Sequence, residues 1–513
     1  MENYDYIIIG SGFGGSVSAL RLAEKGYKVL VIEKGKWYRN EDFAKTNWNL
    51  KKWIWLPSIR FHGIMKMSFY RHISILSGVG VGGGSLVYGN TLPIPKSKFY
   101  KNGSWAKLQD WESLLAPFYS KALQMLGASA NPNPTLGDLH LKTMAQKQNL
   151  KFQPTEVAVF FGEPEITVED PYFNGAGPQR SGCIYCGACM TGCRHNAKNT
   201  LDKNYLHLAQ KLGVQIIAEQ EVVDIIPNST GYSVKSTDST RFFKKTHSYQ
   251  SQKVIFAGGV LGSMKLLLKL KQTRFKNISN QLGENVLSNN ESLIFSVSTN
   301  AEQNLSQGIA IGSLMDVDEK THLEVVRYGE KSGFWRLGML PVVEGNHPLI
   351  RFWNLSKEIL SQPIQYLKIW TVRDFGKQSV VLLFMQQIDT VLKFKRGIFR
   401  LKTGLTTGQR PKAQIPLAFA LAREYSKINQ AKPMVFLTET LFNLPSTAHI
   451  LGGAVMSETS ENGVVDSQCR LHHYPDLMVC DGSFISANPG VNPSLSIAAI
   501  TEYAMSCIPN KIK

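Results

Sequence analysis

Two stretches of this chain hold residues whose types and spacing suit particular chemistries. The first is Gly10-Ser11-Gly12-Phe13-Gly14-Gly15, a G-x-G-x-x-G pattern followed about 20 residues later by Glu33. In such a pattern Gly10 permits a tight turn, Gly12 lets backbone approach a pyrophosphate at a helix N-terminus, and Gly15 lets helix and strand pack closely. Glu33 would accept hydrogen bonds from a ribose 2′-hydroxyl, which argues against NADP. NAD and FAD share this cradle, so the pattern leaves both open, beside a glycine turn with no ligand. The second stretch is Cys183-x2-Cys186-x2-Cys189-x3-Cys193, the spacing with which a bacterial ferredoxin loop wraps thiolates around an iron–sulfur cluster. Arg194 stands where a proline usually follows, and no second run exists to share ligands. Structural zinc pairs two Cys-x2-Cys knuckles across a longer gap. An iron–sulfur cluster is therefore expected ahead of zinc, with unmetallated thiols or a redox-active disulfide as the alternative.

The elements that must position these residues are readable from apolar periodicity. Tyr6 to Ile9 predicts a strand, Ser16 to Lys25 an amphipathic helix stopped by Gly26, and Lys28 to Glu33 a second strand, which together make one βαβ unit. Gly78 to Gly89 is too glycine-rich for a packed strand, since each glycine costs about 0.5–1 kcal/mol against alanine. A second loop pressed on a cofactor accounts for it, a flexible surface loop being the alternative. After the cysteines come a helix-like Leu201 to Leu212, strands at Val214 to Ala218, Glu221 to Pro227 and Val254 to Ala257, and a Leu-rich helix, Leu261 to Leu270. The pattern then turns β-like from Leu282 to about 345, and the chain ends in a helix from Ser496 to Cys507.

Composition narrows the class. With 43% apolar and 19% charged residues in 513, the chain is neither a disordered tail nor a fibre, and its length suits two large or three smaller domains. Basic residues number 57 against 39 acidic, a net of +18, which calls for an anionic partner or serves solubility. Residues 351–440 hold 15 basic and 5 acidic residues, so +10 of the excess lies there. No apolar run reaches the roughly 18–20 residues that cross a bilayer, and Met1 to Gly10 lacks a basic leader, so a cytoplasmic place is expected. Seven cysteines, four of them in one loop, argue against a secreted disulfide framework.

Further segments resemble the glucose-methanol-choline (GMC) oxidoreductases, and within them the cholesterol-oxidase-like branch. Beside the glycine fingerprint these are Gly82-Gly83-Gly84-Ser85-Leu86-Val87, Ala197 to Leu206, Ala257-Gly258-Gly259, His449-Ile450-Leu451-Gly452-Gly453, Asp481-Gly482-Ser483 and Gly490-Val491-Asn492-Pro493. The resemblance implies FAD, held by Gly10, Gly12, Gly14, Gly15, Glu33, Gly83, Ser85, Gly89, Asn90, Val222, Asp481, Gly482, Asn492 and Pro493. It also implies that His449 and Asn492 face the substrate side of the flavin. Oxidising an alcohol moves a hydride to the flavin while the hydroxyl proton goes elsewhere, and an imidazole with a pKa of about 6.5 suits that task. Sterol oxidases of the family also use a glutamate of the substrate domain as base. No residue can be matched to it, and Asp389 is a candidate only against an ordinary turn or salt-bridge role. Tyr88 departs from the asparagine that known sterol oxidases carry, whereas some bacterial members look similar at the cysteine run.

The expected fold is α/β and α+β. A discontinuous Rossmann-like FAD-binding domain would span 1–100, 181–300 and 445–513, with the cysteine loop at 183–193. A β-sheet plus helix substrate-binding domain would span 101–180 and 301–444. The expected activity is FAD-dependent oxidation of a secondary alcohol on a sterol or similar bulky lipid, with electrons leaving to oxygen or another acceptor. A dehydrogenase using an iron–sulfur cluster, and a non-catalytic flavin-bearing lipid-binding protein, are the alternatives. In Pro348 to Trp370 and Phe394 to Lys402, aromatic and aliphatic residues interleave with Arg351, Lys357, Lys368, Lys395, Arg396, Arg400 and Lys402. That mixture suits peripheral contact with an anionic membrane, against a solvated face over a core helix, and nucleic acid is not expected.

Overall fold

The run Tyr4 to Ile9 is apolar on both faces, which suits an inner strand of a parallel sheet covered on both sides. The computed structural model describes residues 2–389, 392–398, 400–406 and 410–512, and places Asn3–Ile9 there. Four parallel neighbours extend it in the order Gln215–Ile217, Val29–Ile32, Asn3–Ile9, Thr246–Phe256 and Tyr474–Val479. Ile7 pairs with both Leu30 and Val254, and Val254 with Leu477, so one apolar layer runs through the sheet. Thr246–Phe256 is longer than its apolar half, because its polar start pairs antiparallel with Gly231–Asp238, which in turn pairs with Gln220–Asn228.

The first helix begins at Phe13 and runs to Glu24, three residues earlier than expected, so that the glycines themselves make its first turn. The expected helix Leu201 to Leu212 is divided into a 3-10 turn, Leu201–Lys203, and an α-helix, Tyr205–Lys211. Asn204 causes the break: its backbone leaves helical angles and its Oδ1 accepts the Tyr205 amide at 2.6 Å. The final helix, Ser494–Ser506, packs on both Phe13–Glu24 and Trp111–Met125.

A second, seven-stranded sheet contains Ser292–Ser298, Ser379–Gln386, Thr321–Val326 and Ile311–Asp316 as adjacent antiparallel strands. Side chains alternate across a strand. Leu323 and Val325 therefore join Ile294, Leu382 and Phe384 beneath the helices Leu136–Gln148 and Pro416–Ile428. Val326 joins Phe295, Val381 and Leu383 on the opposite face, which forms the wall of the cavity described below. Beside this sheet lie the helices Pro348–Ser361 and Pro363–Trp370, separated at Pro363, which cannot continue a helix from its own amide.

The basic, aromatic segment is less uniform than its sequence. Phe352, Trp353, Leu360, Ile364 and Leu367 are exposed, Trp353 at 71% and Leu360 at 76%. Arg351, expected on that face, is buried instead, where its guanidinium donates to the carbonyls of Gly345 and Leu441. Leu355 is likewise buried. Strands Leu392–Arg396 and Leu401–Leu405 form a hairpin in which Lys395 lies opposite Lys402, while Phe399 of that segment is outside the described residues. Among the described residues no helix is long and apolar enough to cross a membrane.

Candidate active site

The ends of the parallel strands and one face of the second sheet enclose a cavity of about 520 Å³. Its cofactor side is the glycine cradle. Gly10 turns at φ +100°, and a side chain on Gly15 would overlap the Gly10 carbonyl, so both are required where helix and strand meet. A Cβ on Gly12 would meet nothing within 4 Å, which leaves open space above the helix N-terminus, where a pyrophosphate is best held. Glu33 is buried beside it, accepting the Ser11 amide at 3.0 Å, the Ser11 hydroxyl at 2.9 Å and the Gly35 amide at 2.8 Å.

Gly10, Gly12, Gly14, Glu33, Gly83 and Gly89 all line this cavity, as do Val222, Asp481, Gly482 and Pro493. Asp481 is held by the Ser263 hydroxyl at 2.5 Å and the Ser483 amide at 2.9 Å, and burial pushes its carboxyl above the usual range. Three of the expected cofactor residues stand behind the wall. Gly15 is at the helix–strand contact, Ser85 ties Gly82 to Leu201, and Asn90 is buried with a left-handed backbone. Tyr88 does line the cavity, its hydroxyl donating to the Asn199 carbonyl at 2.9 Å.

His449 and Asn492 both line the same cavity. His449 Nδ1 lies 2.9 Å from Glu291 Oε2. Burial opposes an imidazolium there, but the charge and hydrogen bond of Glu291, aided by Glu324, outweigh it and hold the His449 pKa above its ordinary value. Asn492 Nδ2 donates to Glu324 Oε2 at 3.4 Å, and its buried Oδ1 has no hydrogen-bond partner among the described residues. Glu324 is fully buried, and His322 Nε2 stands 3.3 Å from its Oε1 without hydrogen-bond geometry. His322, Glu324 and Val326 share one face of their strand, the face turned to the cavity. Glu324, which sequence reasoning did not single out, is thus a buried carboxylate of the second sheet placed beside Asn492. Asp389 instead anchors the Asn488 amide at 3.2 Å.

The cysteine loop borders the cavity through Met190. All four thiols are free, and Cys183, Cys189 and Cys193 pack in a small cluster with Val159, Ala197 and Ile309. Among the described residues no group of three or more His, Cys, Asp or Glu side chains is placed to hold a metal ion. Hydrogen bonds to backbone secure the loop: Gly187 donates to Gly308, Gly308 donates to Tyr185, each at 2.7 Å, and Lys198 Nζ donates to the Leu86, Tyr88 and Cys189 carbonyls. Burial pushes the Lys198 ammonium down to about 7.

Two family models, both described as GMC oxidoreductase, match residues 4–286 and 394–501. The chain belongs to the GMC oxidoreductase family. This GMC oxidoreductase is 41% identical to a cholesterol oxidase of Acinetobacter baumannii, over 99% of this chain and 95% of that one. It is 39% identical to a cholesterol oxidase of Mycobacterium tuberculosis strain H37Rv, over 99% and 92%. A long-chain-alcohol oxidase of Arabidopsis thaliana matches at 22% over 99% and 67%. Among solved structures, pyridoxine 4-oxidase from Mesorbium loti superposes with a TM-score of 0.63 at 14% identity, covering 98% of this chain and 99% of that one, a likeness of fold. The protein is a cholesterol-oxidase-like, FAD-dependent oxidoreductase that acts on an alcohol. The open space at Gly12, the Glu33 carboxylate and the continuous cavity fit FAD.

Proposed function

We propose that the substrate is the secondary alcohol of a sterol or a similarly bulky lipid, with oxygen as final electron acceptor. The supporting observation is the contrast within one cavity: His449 and Asn492 line it together with an apolar set, Leu293, Phe295, Val326, Trp335, Leu383 and Phe436. A bulky apolar body would pack on that set, and its one hydroxyl would find the two polar groups. FAD, when bound, supplies the hydride acceptor. His449 takes the hydroxyl proton, Asn492 aligns the oxygen, and Glu324 fixes the Asn492 carboxamide.

The same reading covers how a lipid-borne substrate arrives. Trp335 and Phe436 line the cavity, and the helix Leu437–Phe442 that follows Phe436 packs on the helix Pro348–Ser361, with Leu337, Leu437 and Phe442 exposed. Exposed Phe352, Trp353, Leu360 and Leu367 accompany exposed Lys357 and Lys368 there, a mixture suited to an anionic head-group layer. Anaerobic titration of the bound flavin with cholesterol, a long-chain primary alcohol and a sugar, followed by exposure to oxygen, tests the reading. Selective bleaching by the sterol with recovery in oxygen is expected. Equal bleaching by the sugar would defeat the substrate, and no recovery would defeat the acceptor.

A further inference from the structure

Glu291 matches no motif, yet it is buried on the segment that leads into strand Ser292–Ser298 and grips the whole turn that carries His449. Its Oε1 accepts the Ala448 amide at 2.8 Å, the His449 amide at 3.2 Å and the Thr447 hydroxyl. Its Oε2 is left for His449 Nδ1 at 2.9 Å. With three donors already on Oε1, the geometry suits a carboxylate that accepts on Oε2 as well, an arrangement that puts the hydrogen on Nδ1 and the lone pair on Nε2. With Nδ1 engaged and His449 lining the cavity, Nε2 is the ring nitrogen left to meet an alcohol.

We propose that Glu291 is the positioning residue of the reaction: it fixes the Nδ1–H tautomer of His449, aims the ring, and stabilises the imidazolium formed when the hydroxyl proton arrives. This rests on the proposed role of His449 in alcohol oxidation. The arrangement follows the general logic of a base oriented by a third group. The titratable groups around His449 are Glu291 itself, Glu324 and His322 on strand Thr321–Val326, and Glu439 on helix Leu437–Phe442, which faces Glu291. Alcohol oxidation needs neutral His449. The rate therefore falls as pH drops through the raised His449 pKa, and removing the Glu291 charge moves that acid limb to lower pH.

The test is anaerobic stopped-flow reduction of the holoenzyme flavin by cholesterol across the acid to neutral range, for wild type, Glu291→Gln and Glu291→Asp. A second arm records long-range proton–nitrogen spectra of the imidazoles in the resting protein, with His449 assigned by substitution. The Gln variant should keep its FAD and its half-saturation for sterol, lose flavin reduction by on the order of 100-fold, and shift its acid limb downward. Asp should restore part of the rate and the wild-type limb. Wild-type His449 should show hydrogen on Nδ1. Unchanged rate and limb in Gln, or hydrogen on Nε2 in the wild type, would overturn the proposal. If the Gln variant loses FAD, Asp and the wild-type spectrum still decide. Failure of cholesterol to reduce wild-type flavin would overturn the proposed substrate, while the tautomer would still decide the role of Glu291.

Discussion

The glycine cradle and the group around His449 and Asn492 line a single cavity, yet they are assembled differently. Gly10, Gly12, Gly14 and Glu33 lie within one βαβ unit, on neighbouring parallel strand ends, and their placement is local. His449 gathers Glu291 from before one strand, Glu324 from the face of another, and Asn492 from the turn ahead of the last helix. At Gly10, Gly14 and Gly15 the first region has no room for a side chain, because a Cβ would meet backbone, whereas Gly12 faces open space. The second depends on which charges face each other. Substitutions should therefore separate binding of the flavin from its reduction.

The largest effect is expected at Gly15→Ala, whose methyl would overlap the Gly10 carbonyl. The purified protein should lose its FAD absorbance and unfold at lower temperature, and a normal flavin content would break the account of the cradle. His449→Ala should do the opposite, keeping FAD while slowing flavin reduction by roughly 10²–10⁴-fold. Loss of flavin from that variant would blur the two regions. Glu439 gives a smaller and sharper test. Burial, then the charge of Glu291, raises its carboxyl from 4.5 to about 8. Its folded-state pKa lies above the unfolded one, so between those values the unfolded chain gives up a proton that the native state retains. Stability from this group therefore declines as pH rises from about 4.5 to about 8. Glu439→Gln should flatten that part of the stability–pH curve, measured by urea denaturation, and be at least as stable as wild type at the alkaline end. A curve parallel to wild type would contradict the assignment. The smallest effect concerns the hairpin: replacing Lys395, Arg396, Arg400 and Lys402 by Gln should weaken binding to anionic vesicles by about 1 kcal/mol per residue close to the surface, less at high salt. Binding indifferent to both would return these charges to a solubility role.

The cradle was legible because its requirements are steric and local: a glycine turn between a strand and a helix names itself within a few residues. His449 and Asn492 were reachable through their resemblance to a known C-terminal pattern. Glu324 was not, although the alternation His322, Leu323, Glu324, Val325 contained a hint. Two polar residues on one face of an apolar strand ordinarily indicate solvent, and here that face is turned to the cavity. Glu291 sits in the polar run Asn289-Asn290-Glu291-Ser292, which reads as an ordinary loop. Arg351 shows the converse, a charge read as surface that is buried because two carbonyls take up its donors.

By itself the sequence determined the dinucleotide cradle, the family resemblance, the two residues expected to face the flavin, and the concentration of +10 in one segment. Tertiary structure decided which carboxylates stand behind His449 and Asn492, which of the cysteines pack together, and which basic residues reach the surface. The reason is physical: a turn or a helix start is specified by neighbouring residues, whereas the environment of a charge depends on groups brought to it from distant parts of the chain.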